Sequence, residues 1–197
     1  MPPVSSPFPH TQPVELSKCY RLLNHGPTVL VSAAHGERRN VMAAAWSMPL
    51  DFAPPKVAVV IDKNTLTRSL VEASGGFALH VPCKAQADIV LAVGSATGRE
   101  VDKFERLGLR STDGRRVDAP LIEGCVGWME CRLVPEPHVQ QAYDLFIAEV
   151  VAAWADERAF GQGRWHEELP DALRTLHYVA GGRFFAIGEG LDARSAL

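Results

Sequence analysis

The chain has 197 residues, 47% of them hydrophobic and 22% charged, with a formal net charge of −3. That length builds one domain with a full core, and a mildly acidic chain without a basic block argues against nucleic-acid binding. No apolar run approaches the roughly 20 residues that cross a bilayer, and MPPVSSPFPHTQP lacks the cationic start and apolar stretch of a secretory signal.

Residues 1–19 read as an extended Pro-rich arm and residues 20–197 as a single domain. Such an arm either stays without fixed structure or lies across a neighbouring subunit. Residues 28–34 are apolar and β-rich, residues 35–39 form a hairpin turn, and Asn40 to Ser47 return as a strand. Pro54-Pro55 breaks the chain before a buried strand at residues 57–61. The polar cluster Asp62-Lys63-Asn64-Thr65 opens a helix over residues 66–74, with Thr65 as N-cap and Gly75-Gly76 as the stop. Phe77 to Val81 is a short strand, residues 84–93 read as helical, and residues 99–107 as a charged amphipathic helix ending at Gly108. Residues 119–122, 126–134 and 145–155 follow as strands, and the tail from His177 closes with Arg183 to Ile187. Many closely spaced strands with two or three helices indicate a mainly β barrel with helical insertions. A doubly wound nucleotide fold is disfavoured, because no G-x-G-x-x-G turn follows a strand.

Two segments have the composition of a binding site. In Asn40-Val41-Met42-Ala43-Ala44-Ala45-Trp46-Ser47, three alanines leave little bulk over the backbone, so a flat ring can approach main-chain groups. The same alanines would equally suit a strand packed under a helix. Lys63, Asn64, Thr65 and Thr67 offer a cation, hydroxyls and helix N-terminal amides, which suit a phosphate monoester. On their own they also read as an ordinary polar N-cap.

Cys19, Cys83, Cys125 and Cys131 lie in or beside apolar runs without C-x-x-C spacing, as expected of buried, reduced thiols in a cytoplasmic protein. The histidines show no H-x-x-x-H or H-E-x-x-H spacing, so no metal site is expected. No G-x-S-x-G is present, and no cysteine has a local histidine partner.

The order of the Asn40–Ser47 turn, Pro54-Pro55, the Thr65 and Thr67 pair and Gly76-Phe77 resembles the flavin reductase-like family, FMN-binding split barrels that include flavoredoxin. The resemblance runs from about Tyr20 to Gly188 and is sharpest over residues 40–82. It implies a split β-barrel, FMN as cofactor, NAD(P)H as a candidate electron donor, a homodimer, and a monooxygenase or electron-transfer protein as partner. It gives Asn40, Met42, Ala43, Ala44, Ala45, Trp46 and Ser47 to the flavin ring, and Thr65 and Thr67 to the phosphate. Lys63 and Asn64 join the phosphate by adjacency. Asp102-Lys103-Phe104 and His177-Tyr178 match family segments near the flavin, which adds Lys103 and His177. One departure stands out: Tyr143-Asp144 occupies the place where many relatives have Asp-His near the nicotinamide. The histidine of those relatives is missing, Tyr143 in its place would stack on the flavin and cover its open face, and an inward Asp144 would also repel a dinucleotide pyrophosphate, so slow or absent nicotinamide turnover is expected. Three readings follow: an NAD(P)H-dependent flavin reductase, a flavoredoxin-like electron carrier, and a non-catalytic flavin-binding module.

Overall fold

The computed structural model describes residues 5–194, so residues 1–4 of the expected arm and 195–197 of the expected domain lie outside the described residues. In chain order, the elements begin with β1 (Thr11–Pro13), β2 (Val29–His35), β3 (Arg38–Ala44), β4 (Ser47–Phe52), β5 (Pro55–Val60), α1 (Leu66–Ser74) and β6 (Gly76–Val81). Next are α2 (Ala87–Ser95), α3 (Lys103–Leu107), β7 (Ser111–Thr112), β8 (Leu121–Ile122), β9 (Gly127–Val134), α4 (Pro137–Tyr143) and β10 (Leu145–Asp156). Two hairpins finish the chain: β11 (Phe160–Gly161) with β12 (Arg164–Trp165), and β13 (Leu176–Ala180) with β14 (Arg183–Ala186). No described helix is long and apolar enough to cross a membrane.

The main sheet is antiparallel in the order β3-β2-β6-β9-β10-β5-β4, with β1 added to β10. β3 and β4 therefore sit at opposite ends of the path, although only Ala45 and Trp46 separate them in sequence. The sheet curls round until its two ends meet across those two residues, and this is the split barrel that the sequence implies. The long β10 makes the curl possible: Leu145–Glu149 pair with β5, Thr11–Pro13 pair with its far end, and a register shift between Val150 and Ala152 bends it.

Alternation along the strands fills two cores. Val29, Val31, Phe77, Leu79, Met129 and Phe146 point into the barrel. Leu30, Val41, Ala78, Trp128 and Trp154 point outward, where Val90, Val93 and Phe104 from α2 and α3 cover them. All four cysteines are buried and free, and burial pushes the Cys19 thiol up to about 12.

Several boundaries differ from the sequence reading. The N-terminal segment is tied to its own chain by β1, and a 3-10 helix at Leu16–Leu22 straddles the expected boundary at residue 19. The return strand stops at Ala44, because Ser47 already belongs to β4. The helix expected over residues 99–107 shrinks to Lys103–Leu107, because the Asp102 carboxylate accepts the N–H groups of Phe104 and Glu105 and so fixes the start. Strand β4 and helix α4 were not expected at all.

Two buried charges fasten the periphery. The Glu130 carboxylate on β9 accepts the N–H groups of Arg115, Arg116 and Val117 at 2.8, 2.6 and 2.8 Å, pinning that loop to the sheet. Arg68 on α1 pairs with Asp144 and Glu72, donates to the Gln140 carbonyl, and lies over the Phe146 ring. Asp144 is thus neutralised at the C-terminal end of α4, which corrects the expectation of a free carboxylate facing a dinucleotide.

Candidate functional site

Two cavities, of about 500 and 320 Å³, share Met42, Ala43, Gly94 and Ser95, so they form one cleft with two lobes. The cleft lies between β3 and α2. The two elements approach closely because β3 offers alanines and α2 ends in Gly94, where an added Cβ would meet the Ala43 Cβ at 3.4 Å.

The larger lobe is mostly apolar. Met42, Ala43, Ala44, Ala45 and Trp46 line one side, and Val90 and Leu91 of α2 the other. Its bed is the split in the barrel: strand pairing ends at Ala44 and resumes at Ser47, so Ala45 and Trp46 have no partner strand. The Trp46 carbonyl does accept the Val60 N–H at 3.0 Å, which orients that turn. The Trp46 indole is 73% exposed at the rim. The far wall comes from the last hairpin, where the Tyr178 and Phe184 rings meet edge to face with centroids 5.4 Å apart. Thr28 docks that hairpin on β2: its N–H donates to the Leu176 carbonyl at 2.7 Å, and its hydroxyl accepts the Tyr178 N–H at 2.8 Å. Asp62 is the single charged residue lining this lobe, and one of its oxygens accepts the Asn64 N–H.

The smaller lobe is polar. It is lined by Asn40, by Asn64, Thr65 and Leu66 at the start of α1, by the turn from Ser95 to Gly98, and by Lys103. Lys103 is 4% exposed and has no carboxylate partner among the described residues. Its ammonium donates to the Val41 carbonyl at 2.9 Å and to the Val93 carbonyl near the end of α2 at 2.7 Å. An ammonium has three protons, so one is left for the lobe. Burial lowers its pKa from 10.5 to about 8. The positive end of the nine-residue α1 faces the same space.

Of the residues singled out in the sequence, Met42, Ala43, Ala44, Ala45 and Trp46 line the apolar lobe, and Asn40, Asn64, Thr65 and Lys103 the polar one. Four line neither. Thr67 is fully buried and its hydroxyl accepts from the Asn40 amide at 2.9 Å, so it supports the lobe through Asn40. Ser47 lies on β4 with its hydroxyl buried, and Lys63 is exposed beside the turn. His177 donates to or accepts from neither lobe; its Nδ1 lies 3.1 Å from the Gly26 carbonyl and its ring packs against His25. Thr65 also differs in detail: its hydroxyl donates to the Asp62 carbonyl and accepts the Arg68 N–H as a true N-cap. Sequence reasoning missed Thr28, Asp62, Leu91, Gly94, Ser95 and Phe184, and reached Tyr178 only as the neighbour of His177 in the matched segment. The turn signal in Ser95-Ala96-Thr97-Gly98, after an apolar helix, was the one available hint.

The Flavin reductase like domain model matches residues 21–184. The uncharacterized protein YddH of Escherichia coli is 47% identical over 184 residues, spanning 92% of this chain and 97% of that one. A crystal structure described as an FMN-binding domain of a flavin reductases-like enzyme, from Shewanella baltica, superposes with a TM-score of 0.90 at 50% identity, covering 93% of this chain and 97% of that one. Flavoredoxin of Desulfovibrio vulgaris superposes with a TM-score of 0.73 at 28% identity, covering 87% and 91%. The curled sheet, the cleft at its split and the family model all agree, and the chain belongs to the flavin reductase-like family of FMN-binding split barrels.

Proposed function

We propose that this protein is an FMN-dependent oxidoreductase that works as a homodimer. The observation that carries this is the paired lobes: a flat apolar slot continuous with a polar pocket holding a buried ammonium with a proton to spare. The donor set fits a phosphomonoester, and the alanine bed with its unpaired backbone fits a planar ring. In this reading the apolar lobe takes the isoalloxazine, and Ala45 and Trp46 offer main-chain groups to its polar edge. Lys103 and the first turn of α1 hold the phosphate, with Asn40 kept in position by Thr67. When bound, the flavin supplies hydride and electron transfer between a reduced nicotinamide and an acceptor. The chain's residues place the ring, keep water from its buried face and leave the other face open towards Trp46.

The dimer reading rests on β4. This edge strand turns Met48, Leu50 and Phe52 outward, Trp46 just before it extends the exposed apolar strip, and such an edge is what a chain in water covers with a partner. Because Trp46 belongs both to that strip and to the rim of the ring lobe, the second copy would complete the site.

The deciding experiment is denaturation of the purified protein and chromatography of the released flavin, with rebinding of FMN to the stripped protein. FMN released and rebound is the expected result. Predominant FAD, or no flavin that rebinds, overturns the reading. A flavoredoxin-like carrier is the second reading, supported by the likeness to flavoredoxin and by Tyr143-Asp144. Anaerobic titration with NADH and NADPH, followed at the flavin band, separates it from a reductase.

A further inference from the structure

A second cation, Arg99, stands beside the polar lobe. Arg99 follows the Ser95–Gly98 turn, is exposed, and has no carboxylate partner among the described residues. It is nevertheless held. Its Nε donates to the Asn64 carbonyl at 3.1 Å, and one terminal nitrogen donates to the Thr65 carbonyl at 3.4 Å and to the Ser69 hydroxyl at 3.3 Å. All three acceptors belong to the turn that starts α1 or to its first helical turns, on the opposite wall of the lobe from Arg99 itself.

We infer that Arg99 is the positioning residue of the phosphate lobe, a latch that joins its two walls. This rests on the flavin reading above. The loop from Ser95 to Val101 has few other ties to α1. Gly98 sits against the Asn40 side chain so closely that a Cβ there would lie 2.1 Å from the Asn40 Oδ1. That contact registers the loop on the Asn40–Thr67 pair at the floor of the lobe. Arg99 supplies the second point of attachment, at the mouth. Two points fix a loop in orientation as well as position, so the amides and hydroxyls of both walls are arranged before a phosphate arrives. Preorganisation of this kind raises affinity by removing an ordering cost from the binding step. The guanidinium fork suits the task because it meets several acceptors from one rigid plane, whereas an ammonium is a point charge on a flexible stem. Its own charge, uncompensated, also adds to the field drawing a dianion into the lobe.

The test uses the full chain, with FMN and riboflavin as probes, in wild type, Arg99→Ala and Arg99→Lys. Arg99→Ala should weaken FMN about tenfold or more, as expected when the walls that receive the phosphate lose their preordering and a nearby positive charge goes, and riboflavin by less than about twofold. In the flavin-free protein, the same variant should speed hydrogen exchange in residues 95–101 while the melting temperature holds. Arg99→Lys keeps the charge, so the FMN association rate should stay near wild type while dissociation quickens. Equal weakening of both flavins, full restoration by lysine, or unchanged exchange in the flavin-free variant each overturns the latch. A wild type that binds neither flavin sinks the flavin reading itself, and this inference with it.

Discussion

Replacing Lys103 by methionine tests the phosphate lobe most directly. The substitution keeps the length of the stem and removes the charge. Bringing the pKa from 10.5 to about 8, at about 1.4 kcal/mol per pH unit, means that the empty fold disfavours the ammonium form by about 3 kcal/mol relative to water. That cost is offset by the Val41 and Val93 carbonyls only in part. A phosphate dianion beside the ammonium would return much of it. Lys103→Met should therefore weaken FMN by about a hundredfold, close to 3 kcal/mol, and leave riboflavin nearly unchanged. The empty variant should be no less stable than wild type at neutral pH, since an uncompensated buried charge has gone. The pH dependence has a definite sign. As pH rises through about 8, the empty protein sheds the Lys103 proton, so FMN binding must take one up and affinity falls, by up to tenfold per pH unit. Between about 8 and 10.5 the unfolded chain holds a proton that the folded chain has lost, so this group makes the empty protein more stable as pH rises. Both trends should vanish in Lys103→Met. Fluorescence titration with FMN and riboflavin from pH 7 to 10 measures the affinities, and urea unfolding of the empty protein over the same range measures the stabilities. Parallel loss of the two flavins, or an FMN affinity in wild type that is flat across pH 8, refutes the assignment of Lys103 to the phosphate.

Three further outcomes are expected. Glu130→Gln removes the charge from the group that accepts three backbone N–H groups and should cost about 2–4 kcal/mol in urea unfolding; a loss below about 1 kcal/mol would show that the loop does not depend on the charge. Phe52→Glu places a carboxylate on the exposed β4 strip and should convert a dimer of about twice 21.4 kDa to monomer in sedimentation; a wild type that is monomeric with FMN fully bound removes the dimer reading. Anaerobic stopped-flow reduction by NADH or NADPH should be slow, and Asp144→Asn should not speed it, because Arg68 already neutralises that carboxylate; fast wild-type reduction by either nucleotide defeats the expectation.

The helix at residues 66–74 was legible because its punctuation is local: Thr65 caps it and Gly75 ends it in the left-handed conformation. The alanine run was legible as a wall with room above it for a similar reason, since small side chains are visible in sequence. Strand β4 was not, because its apolar residues face outward and Pro49, Pro54 and Pro55 obscure the alternation. Helix α4 has no buried residue, so it carries no hydrophobic period to read. The roles of Thr65 and Thr67 could not be told apart from spacing alone. Both suit a phosphate by type, and only packing shows that Thr67 points at Asn40 beneath the lobe. Phe184 was invisible as a site residue because it reaches the cleft from the far end of the chain, through a hairpin docked on Thr28, and Tyr178 came into view only through the resemblance.

The two residues that separate β3 from β4 also set an order of events in folding. Strands joined through two residues are never far apart, but the sheet that runs from one to the other through β2, β6, β9, β10 and β5 closes only when every pairing on that path has formed. Three of those pairings, β2 with β6, β6 with β9 and β10 with β5, are remote in sequence, and remote pairings are slow to form. The ring lobe draws on residues from Thr28 to Phe184, so no early fragment of the barrel can hold a flavin. Capture of FMN then becomes a clock: its fluorescence change should lag the formation of strand structure in a refolding experiment and mark the moment the barrel closes.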